Sequence, residues 1–427
     1  MTETTRYVTI QLPGNEQAVP AGLLRLVEGG RNPVLSRFTY GRGYIRRKNA
    51  VAVDPVSLPL GANAERTDTQ PIGGLALFGA LRDATPDLWG RRVIENRLRA
   101  DPDSLPESVF LDHAGPHRAG ALGIQTTLEG TSHQSDLPEL MELEHLLEAA
   151  DRVEEGLPVP AHLELFFTGA PSLGGARPKA LLVCEGHQWI AKFPSRNDPF
   201  DVPVIERATL ELARQAGLAV PPTRLETLSD GRNVMLIQRF DRGSQTESFP
   251  KRHMVSALTA LGVHEQDSAQ MRYADIARAI EQLGSRGQIQ ADRTELFRRM
   301  VFNILVSNDD DHLRNHAFLY ESESQGWRLS PLYDVVPRPS ASHERFLHLG
   351  VGPKGRASSL DNALSGCAQF GLSSAEAAAL IDQIVLTVRE WKGCFEAFAV
   401  PGVQIDKVST AFRRASEIGM MTVERFL

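Results

Sequence analysis

The sequence predicts an α+β fold with two lobes, in which a small β-rich lobe precedes a larger helical lobe and a further β-rich domain comes before both. Three observations support this prediction: residues 179–240 have the order hairpin, helix, hairpin; helical periodicity dominates after residue 240; and short alternating strands fill the first 60 residues. Because 427 residues are too many for one ordinary core, the length predicts two or three domains, and the order of the elements favours three. Their predicted bounds are 1–150, 151–238 and 239–427.

The small lobe carries the clearest local signals. KALLVCEGHQWIAKF is two apolar strands around a turn at Glu185-Gly186, and a second hairpin turns at Asp230-Gly231. Between them, VPVIERATLELARQAGL has apolar residues at helical spacing and ends at Gly217. A polar stretch at 129–140 separates this region from the preceding domain.

Helices are expected on both sides of the small lobe. DATPDLWGRRVIENRLRA predicts a helix with Pro86 near its start. In the carboxyl-terminal part, Ser373 precedes Glu376 by three residues, which is the capping-box spacing. It predicts the start of one long helix that continues to Phe398.

Composition excludes several classes of protein. The formal net charge of −7 argues against broad nucleic-acid binding by the whole surface. The amino-terminal residues lack a signal-peptide pattern, and no run of about 20 apolar residues predicts a membrane span. Three widely separated cysteines form no metal or redox spacing, so we expect a cytoplasmic protein.

Three adjacent acids, Asp309, Asp310 and Asp311, stand in SNDDDHLRNHAF, where like charges repel. Asp310 and Asn315 are five residues apart, the spacing of the catalytic aspartate and the magnesium-binding asparagine in protein kinases. Farther on, Asp334 follows a strand-like run in WRLSPLYDVVP. Hard oxygen ligands of this kind suit Mg²⁺. The pattern predicts Asp310 as a base and Asn315 and Asp334 as metal ligands, with a solvated acidic loop as the alternative.

Upstream residues supply a matching phosphate-binding set. Lys192, in the strand WIAKF, has the position of a lysine that holds α- and β-phosphates, and Glu206 on the next helix is the candidate to orient it. Gly174 and Gly175 provide a turn whose amides could approach phosphates. Each signal alone has an ordinary structural explanation, such as a plain turn or an edge-strand lysine. The order of all of them together favours a nucleotide site.

The combination of SLGGARPKALL, WIAKFPS, ERATLELARQAGLAVP, QRFDR, SNDDDHLRNHAF and WRLSPLYDVVP resembles the HipA-like serine/threonine kinases, the toxin half of bacterial toxin–antitoxin modules. The similarity extends over most of the chain. The resemblance implies a kinase-like fold after a HipA-type amino-terminal domain, with ATP and Mg²⁺ as cofactors. It implies catalytic roles for Lys192, Asp310 and Asn315, adenine contacts at Gln238 and Phe240, and inhibitory autophosphorylation of Ser172.

The resemblance also implies partners. Known substrates in the family are aminoacyl-tRNA synthetases, and the usual partner is a small helix-turn-helix antitoxin that binds DNA. Two alternatives stay open from the residues alone: a kinase that acts on a small-molecule hydroxyl, and a non-catalytic module that binds an antitoxin and contacts operator DNA. Basic clusters at 41–48 and 89–99 are candidates for such DNA contacts, with a solvated face as the simpler reading.

Overall fold

A computed structural model of the chain describes residues 1–61, 64–128, 137–172, 174–244 and 249–427. The polar stretch predicted at 129–140 falls largely outside these ranges. The described strands are β1 Thr2–Gln11, β2 Ala18–Gly29, β3 Asn32–Tyr40, β4 Leu122–Gln125, β5 Lys179–Cys184, β6 His187–Lys192, β7 Thr223–Thr227, β8 Asn233–Gln238, β9 Met254–Ser256, β10 Ala317–Glu321 and β11 Gly326–Leu329. They form sheets with the orders β3-β2-β1-β4, β5-β6-β8-β7 and β11-β10-β9.

The described helices include short and long elements. They are α1 Arg42–Ile45, α2 Gly79–Asp83, α3 Leu88–Leu98, α4 Glu107–His113, α5 Leu143–Glu154, α6 Val202–Gln215, α7 Ala257–Leu261, α8 Tyr273–Leu283, α9 Ile289–Val306, α10 Leu360–Ser365, α11 Ser374–Arg389, α12 Trp391–Ala397, α13 Gly402–Val408 and α14 Met420–Val423. Among the helices of the described ranges, none combines the length and the apolar run that a membrane crossing needs.

The chain divides into two compact units that are discontinuous in sequence. The first unit comprises Met1–Ser195, Leu228–Asp230 and Leu236–Val255. The second unit comprises Arg196–Thr227, Gly231–Met235 and Ser256–Leu427.

The core of the first unit follows from strand alternation. Val8 and Ile10 of β1 and Leu24 and Leu26 of β2 are fully buried, because every second side chain points to the same face of the sheet. The hydroxyl group of Tyr40, at the end of β3, is also buried and donates to the Leu58 carbonyl oxygen at 2.6 Å. The loop that contains Leu58 is therefore hydrogen-bonded to the sheet through Tyr40.

The core of the second unit is built around α9. Nearly every residue from Leu296 to Val306 is buried, so the carboxyl-terminal part of this helix is enclosed on all sides rather than amphipathic. The helices α8 and α11 pack against it. A helix enclosed in this way gives the loop that follows it a rigid starting point.

The local predictions for the small lobe are confirmed, while the long carboxyl-terminal helix is not continuous. The capping box of Ser373 and Glu376 is present at the start of α11. The helix breaks at Glu390, and α12 begins at Trp391. The indole ring of Trp391 stacks on Phe412 with ring centroids 3.8 Å apart. The Trp391 side chain is buried, and burial of a large aromatic ring can outweigh the propensity to continue a helix.

Candidate functional site

The acidic loop of the second unit begins where α9 ends. Ser307 takes the left-handed conformation with φ of 53°, which turns the chain sharply after Val306. Its hydroxyl group donates to the Ala411 carbonyl oxygen at 2.6 Å and accepts from the Arg345 guanidinium group at 2.6 Å. The entry to the loop is therefore fixed by side-chain bonds as well as by the helix end.

The three adjacent acids have three different environments. Asp309 forms an ion pair with Arg338, with 2.9 Å between Oδ1 and Nε, although burial raises the pKa of Asp309. Asp310 has a side chain that is 60% exposed. Asp311 is 1% exposed. The three carboxylates thus lie in separate surroundings, which relieves their repulsion, and that of Asp310 is the most exposed.

Asp311 sits in a network of neutral donors. The hydroxyl group of Tyr273 donates to one carboxylate oxygen at 2.6 Å, and the His348 amide donates to the other at 2.6 Å. Asn303 donates to the Tyr273 hydroxyl oxygen at 2.9 Å. Because burial disfavours the charged form, the pKa of Asp311 rises to about 7. This network was not predictable from sequence, since a triplet of acids does not show which member is buried.

Asp310 and Asn315 are joined directly. The Asn315 side-chain amide nitrogen donates to the Asp310 carbonyl oxygen at 2.7 Å, and the Asn315 backbone amide donates to the His312 carbonyl oxygen at 2.9 Å. This orientation leaves the side-chain amide oxygen as the atom that would meet a cation. The structure therefore brings these two predicted residues together on one tight loop.

Asp334 follows β11 and is attached to the same loop through its neighbour. The Tyr333 hydroxyl group donates to the Arg314 carbonyl oxygen at 2.7 Å, next to Asn315. Asp334 itself has φ of 59°, a conformation that is uncommon outside glycine and that clusters at functional sites.

The donor set suits magnesium. No group of three or more His, Cys, Asp or Glu side chains with the spacing of a metal site occurs within the described ranges. The predicted ligands are instead one amide oxygen, from Asn315, and one carboxylate, from Asp334. Mg²⁺ is commonly held by one or two protein oxygens and completes its shell with phosphate oxygens and water. These residues therefore fit the ion.

In the first unit, two lysines lie opposite each other on the β5–β6 hairpin. Lys179 pairs with Lys192 in the register of the antiparallel strands, so both side chains leave the same face of the sheet. The Lys179 ammonium group donates to the Gly174 carbonyl oxygen at 2.6 Å. Gly175 has φ of 85°, which a residue with a Cβ atom adopts only with strain. The structure thus contains the predicted turn at Gly174 and Gly175, and the hydrogen bond from Lys179 spans it.

Ser172 precedes this turn and is buried. It lies in a short 3-10 turn, Ala170–Ser172, and its hydroxyl group donates to the Gly169 carbonyl oxygen at 2.8 Å. The hydroxyl oxygen is therefore engaged within its own turn rather than presented to solvent.

The segment QRFDR forms an ion-pair cluster that was not predicted from the sequence. Asp241 accepts from both Arg239 and Arg242 at 2.7 Å, and all three side chains are buried. Burial alone would raise the pKa of Asp241, but the two guanidinium groups hold it below the usual range. Arg239 also donates to the carbonyl oxygen of His117 at 2.9 Å. The nearby Arg and Asp residues in the sequence were the available signal, but the carbonyl group that Arg239 also binds lies 122 residues earlier.

The remaining predicted residues occupy buried or half-buried positions. The Gln238 side-chain amide lies 2.9 Å from Nδ1 of His187, and Phe240 follows it within the same unit. Glu206 lies in the first half of α6 in the second unit and is 2% exposed. Asp201 caps this helix by accepting from the Val204 amide, so Glu206 has a fixed position along it.

Comparisons with known proteins give consistent results. The family model of the HipA-like C-terminal domain matches residues 171–391, just over half of the chain. A protein of Haemophilus influenzae named "Putative kinase" is 28% identical over 197 residues, which are 42% of this chain and 57% of that relative. A Sinorhizobium fredii protein named "Putative kinase Y4mE" is 24% identical over 340 residues, 73% of this chain and 75% of the relative. The chain thus spans less than two thirds of the first of these relatives.

One solved structure matches over nearly the whole length. It comes from the Shewanella oneidensis MR-1 toxin–antitoxin complex of HipA, HipB and its operator DNA. The TM-score is 0.64 at 15% identity, and the match covers 99% of this chain and 97% of that one. A match of this kind shows that the two chains share a fold, and the predicted α+β architecture is confirmed.

Proposed function

The chain belongs to the family of the HipA-like C-terminal domain, and from that premise we propose that it is a serine/threonine protein kinase that uses ATP and Mg²⁺. The observation that carries the proposal is the loop on which Asn315 bonds to the Asp310 carbonyl oxygen. The Asp310 carboxylate stays exposed while its two acidic neighbours are engaged elsewhere. This loop supplies an accessible base beside an amide oxygen of the type that holds magnesium.

The reaction moves the γ-phosphoryl group of ATP to a serine or threonine hydroxyl. The bond between the γ-phosphorus atom and its bridging oxygen breaks, a bond to the hydroxyl oxygen forms, and ADP leaves. The hydroxyl proton passes to the Asp310 carboxylate. Mg²⁺, when bound, neutralises charge on the phosphate oxygens, and Asn315 and Asp334 are the residues that would hold it. Lys192 is the proposed contact to the α- and β-phosphates.

The proposed acceptors are a cytoplasmic protein, of which an aminoacyl-tRNA synthetase is one candidate, and Ser172 of the chain itself. A phosphate on Ser172 would place charge beside the glycine turn, where ATP phosphates are expected to lie. Its hydroxyl group first has to leave the bond to Gly169. Self-modification should therefore be slower than modification of an exposed serine.

The proposed partner is a small helix-turn-helix antitoxin of the HipB type. The support is the likeness to a fold that was solved together with HipB and operator DNA. A gain in operator affinity when the chain joins such an antitoxin, weakening with added salt, would support indirect DNA contact. An unchanged affinity at every salt concentration would count against it.

Intact-mass spectrometry after incubation with ATP and Mg²⁺ tests the activity. The wild type should gain phosphate on Ser172, and Asp310→Asn should react slower by roughly 10² to 10⁴ because the base is lost. Asp267→Asn, a change at an exposed acid of the same unit, is the matched control. An Asp310→Asn variant as fast as the control would refute the assigned base. Adding cell lysate and radiolabelled ATP shows whether label reaches a protein or a small molecule.

A further inference from the structure

The start of α3 holds the glycine turn of the first unit at both of its polar groups. The Gly175 amide donates to Asp87 Oδ2 at 3.1 Å, and the Gly175 carbonyl oxygen accepts from the Trp89 amide at 3.0 Å. The Trp89 indole nitrogen donates to the Lys179 carbonyl oxygen at 2.8 Å. Asp87 and Trp89 therefore bind the two ends of the turn, across 88 and 90 residues of the chain.

The groups that would meet a phosphate are engaged by protein oxygens in this arrangement. Gly175 offers its amide to a carboxylate, and the Lys179 ammonium group binds the Gly174 carbonyl oxygen. A carboxylate at this place competes with an anion for the same donor and also repels it. In the closed turn, the Gly175 amide and the Lys179 ammonium group thus already have acceptors within the protein. A nucleotide phosphate that binds the Gly175 amide has to displace Asp87.

Packing reinforces the same contact. Gly90, one residue after Trp89, lies so close to the turn that a Cβ atom there would stand 2.4 Å from the Pro171 carbonyl oxygen. Pro171 directly precedes Ser172, the proposed modification site. The backbone of α3 therefore rests on the segment that carries this serine, and a helix with any side chain at position 90 could not approach so closely.

We propose that the start of α3 is a docking site that holds Ser172 and residues 174–179 in a closed arrangement, with Asp87 as the positioning residue that keeps the turn away from anionic ligands. The identity of the ligand, a nucleotide with its phosphates, rests on the proposed function. The amino-terminal region then controls access to the phosphate-binding turn and to Ser172. Displacement of α3 opens the turn and raises its affinity for nucleotide.

Asp87→Asn is the most selective test. Asp87 Oδ1 accepts from the Leu88 amide and caps α3, and an asparagine oxygen can keep that bond. The new NH₂ group replaces Oδ2 and faces the Gly175 amide. Because both groups are hydrogen-bond donors, the bond between residues 87 and 175 is lost. Gly90→Ala opens the same contact by a steric route. Asp101→Asn changes an exposed acid just beyond α3 and is the matched control.

Two measurements on the full-length chain decide the outcome. Hydrogen exchange of peptides over 174–179, without nucleotide, should be about tenfold faster in Asp87→Asn and Gly90→Ala than in Asp101→Asn. The dissociation constant of a non-hydrolysable ATP analogue with Mg²⁺ should fall severalfold in the same two variants, since less of the protein is closed. Loss of folding cannot produce this gain in affinity.

The two readouts also separate this inference from the proposed function. Unchanged exchange in both variants overturns the docking site, whatever the nucleotide does. Faster exchange with unchanged or weaker nucleotide binding overturns the inhibitory role and means that α3 organises the turn for binding. No nucleotide binding in any variant, with faster exchange, removes the kinase proposal and the ligand but leaves the closed turn established.

Discussion

Two buried carboxylates, Asp241 in the first unit and Asp311 in the second, are equally hidden from water but have opposite surroundings. Asp241 lies between two guanidinium groups, which lower its pKa against the effect of burial. Asp311 accepts from the Tyr273 hydroxyl group and from backbone amides, which are neutral donors, and burial raises its pKa to about 7. The comparison shows that burial raises the pKa of either carboxyl group, and that charged partners can reverse the net shift. The charge of the partners decides whether a hidden carboxylate stays ionised.

Removing the charge of Asp241 should have the largest effect on stability. Asp241→Asn leaves Arg239 and Arg242 buried without a negative partner, and we expect a loss of about 3–5 kcal/mol. Urea unfolding followed by hydrogen exchange at the level of peptides would locate the loss in the first unit. The control is Asp112→Asn, whose ion pair with Arg6 is partly exposed and should contribute under about 1 kcal/mol. Equal losses in the two variants would contradict the role given to the cluster.

The same change at Asp311 should cost less. Asp311→Asn keeps an acceptor for one donor but sets an NH₂ group against the other, which costs about 1–3 kcal/mol. The loss should appear in peptides of the second unit that contain Tyr273 and Asn303. Phosphoryl transfer should also slow, because Asp311 is adjacent to the proposed base. A variant with unchanged stability would mean that the network does not hold the loop.

Acidity should affect the two carboxylates in opposite directions. The pKa of Asp311 is raised in the folded state, so its stabilising contribution is full below about pH 4 and is lost as the pH rises to about 7. The pKa of Asp241 is lowered, so its contribution is present at neutral pH and is lost only in stronger acid. Burial lowers the pKa of His316, in the second unit, to about 3. Its contribution to stability is therefore lost as the pH falls, which is the opposite of the pH dependence expected for Asp311.

The difference between wild type and Asp311→Asn isolates this response from that of His316. Unfolding free energies measured by urea titration from pH 4 to 8 should show the wild-type advantage changing most between pH 4 and 7. A difference that stays constant across this range would contradict the raised pKa of Asp311.

The smallest expected effect lies far from both carboxylates. Ser373→Ala removes the capping box at the start of α11 and should cost about 1 kcal/mol, because one helix-terminal amide loses its partner. Ser374→Ala, at the next position, is the control and should be nearly neutral. Thermal unfolding of the two variants side by side measures the difference. Equal midpoints would mean that the cap adds nothing beyond the packing of α11.

Local features were predictable from sequence where short-range chemistry decides them. The β5–β6 hairpin follows from apolar strands around Glu185-Gly186, and α6 from its helical spacing. The break at Glu390 was not predictable, because it depends on Trp391 stacking against a distant Phe412. Helix propensity says nothing about such a contact.

The candidate site shows the same limit. The spacing of Asp310 and Asn315 was visible, and the structure joins them by a hydrogen bond. The burial of Asp311 and the hydrogen bond between Asp87 and Gly175 could not be predicted from the sequence, since each depends on residues that are distant in the chain. Their chemical roles remain predictions that the variants above will test.

The discontinuity of the first unit has a consequence for the order in which the protein can assemble on the ribosome. Arg239 binds the His117 carbonyl oxygen across 122 residues, and the first unit includes chain up to Val255. A nascent polypeptide that has emerged only to Ser195 still lacks Arg239, Asp241 and Arg242. Contacts this distant in sequence slow folding, so the growing chain should expose this region to chaperones until residue 255 has left the exit tunnel.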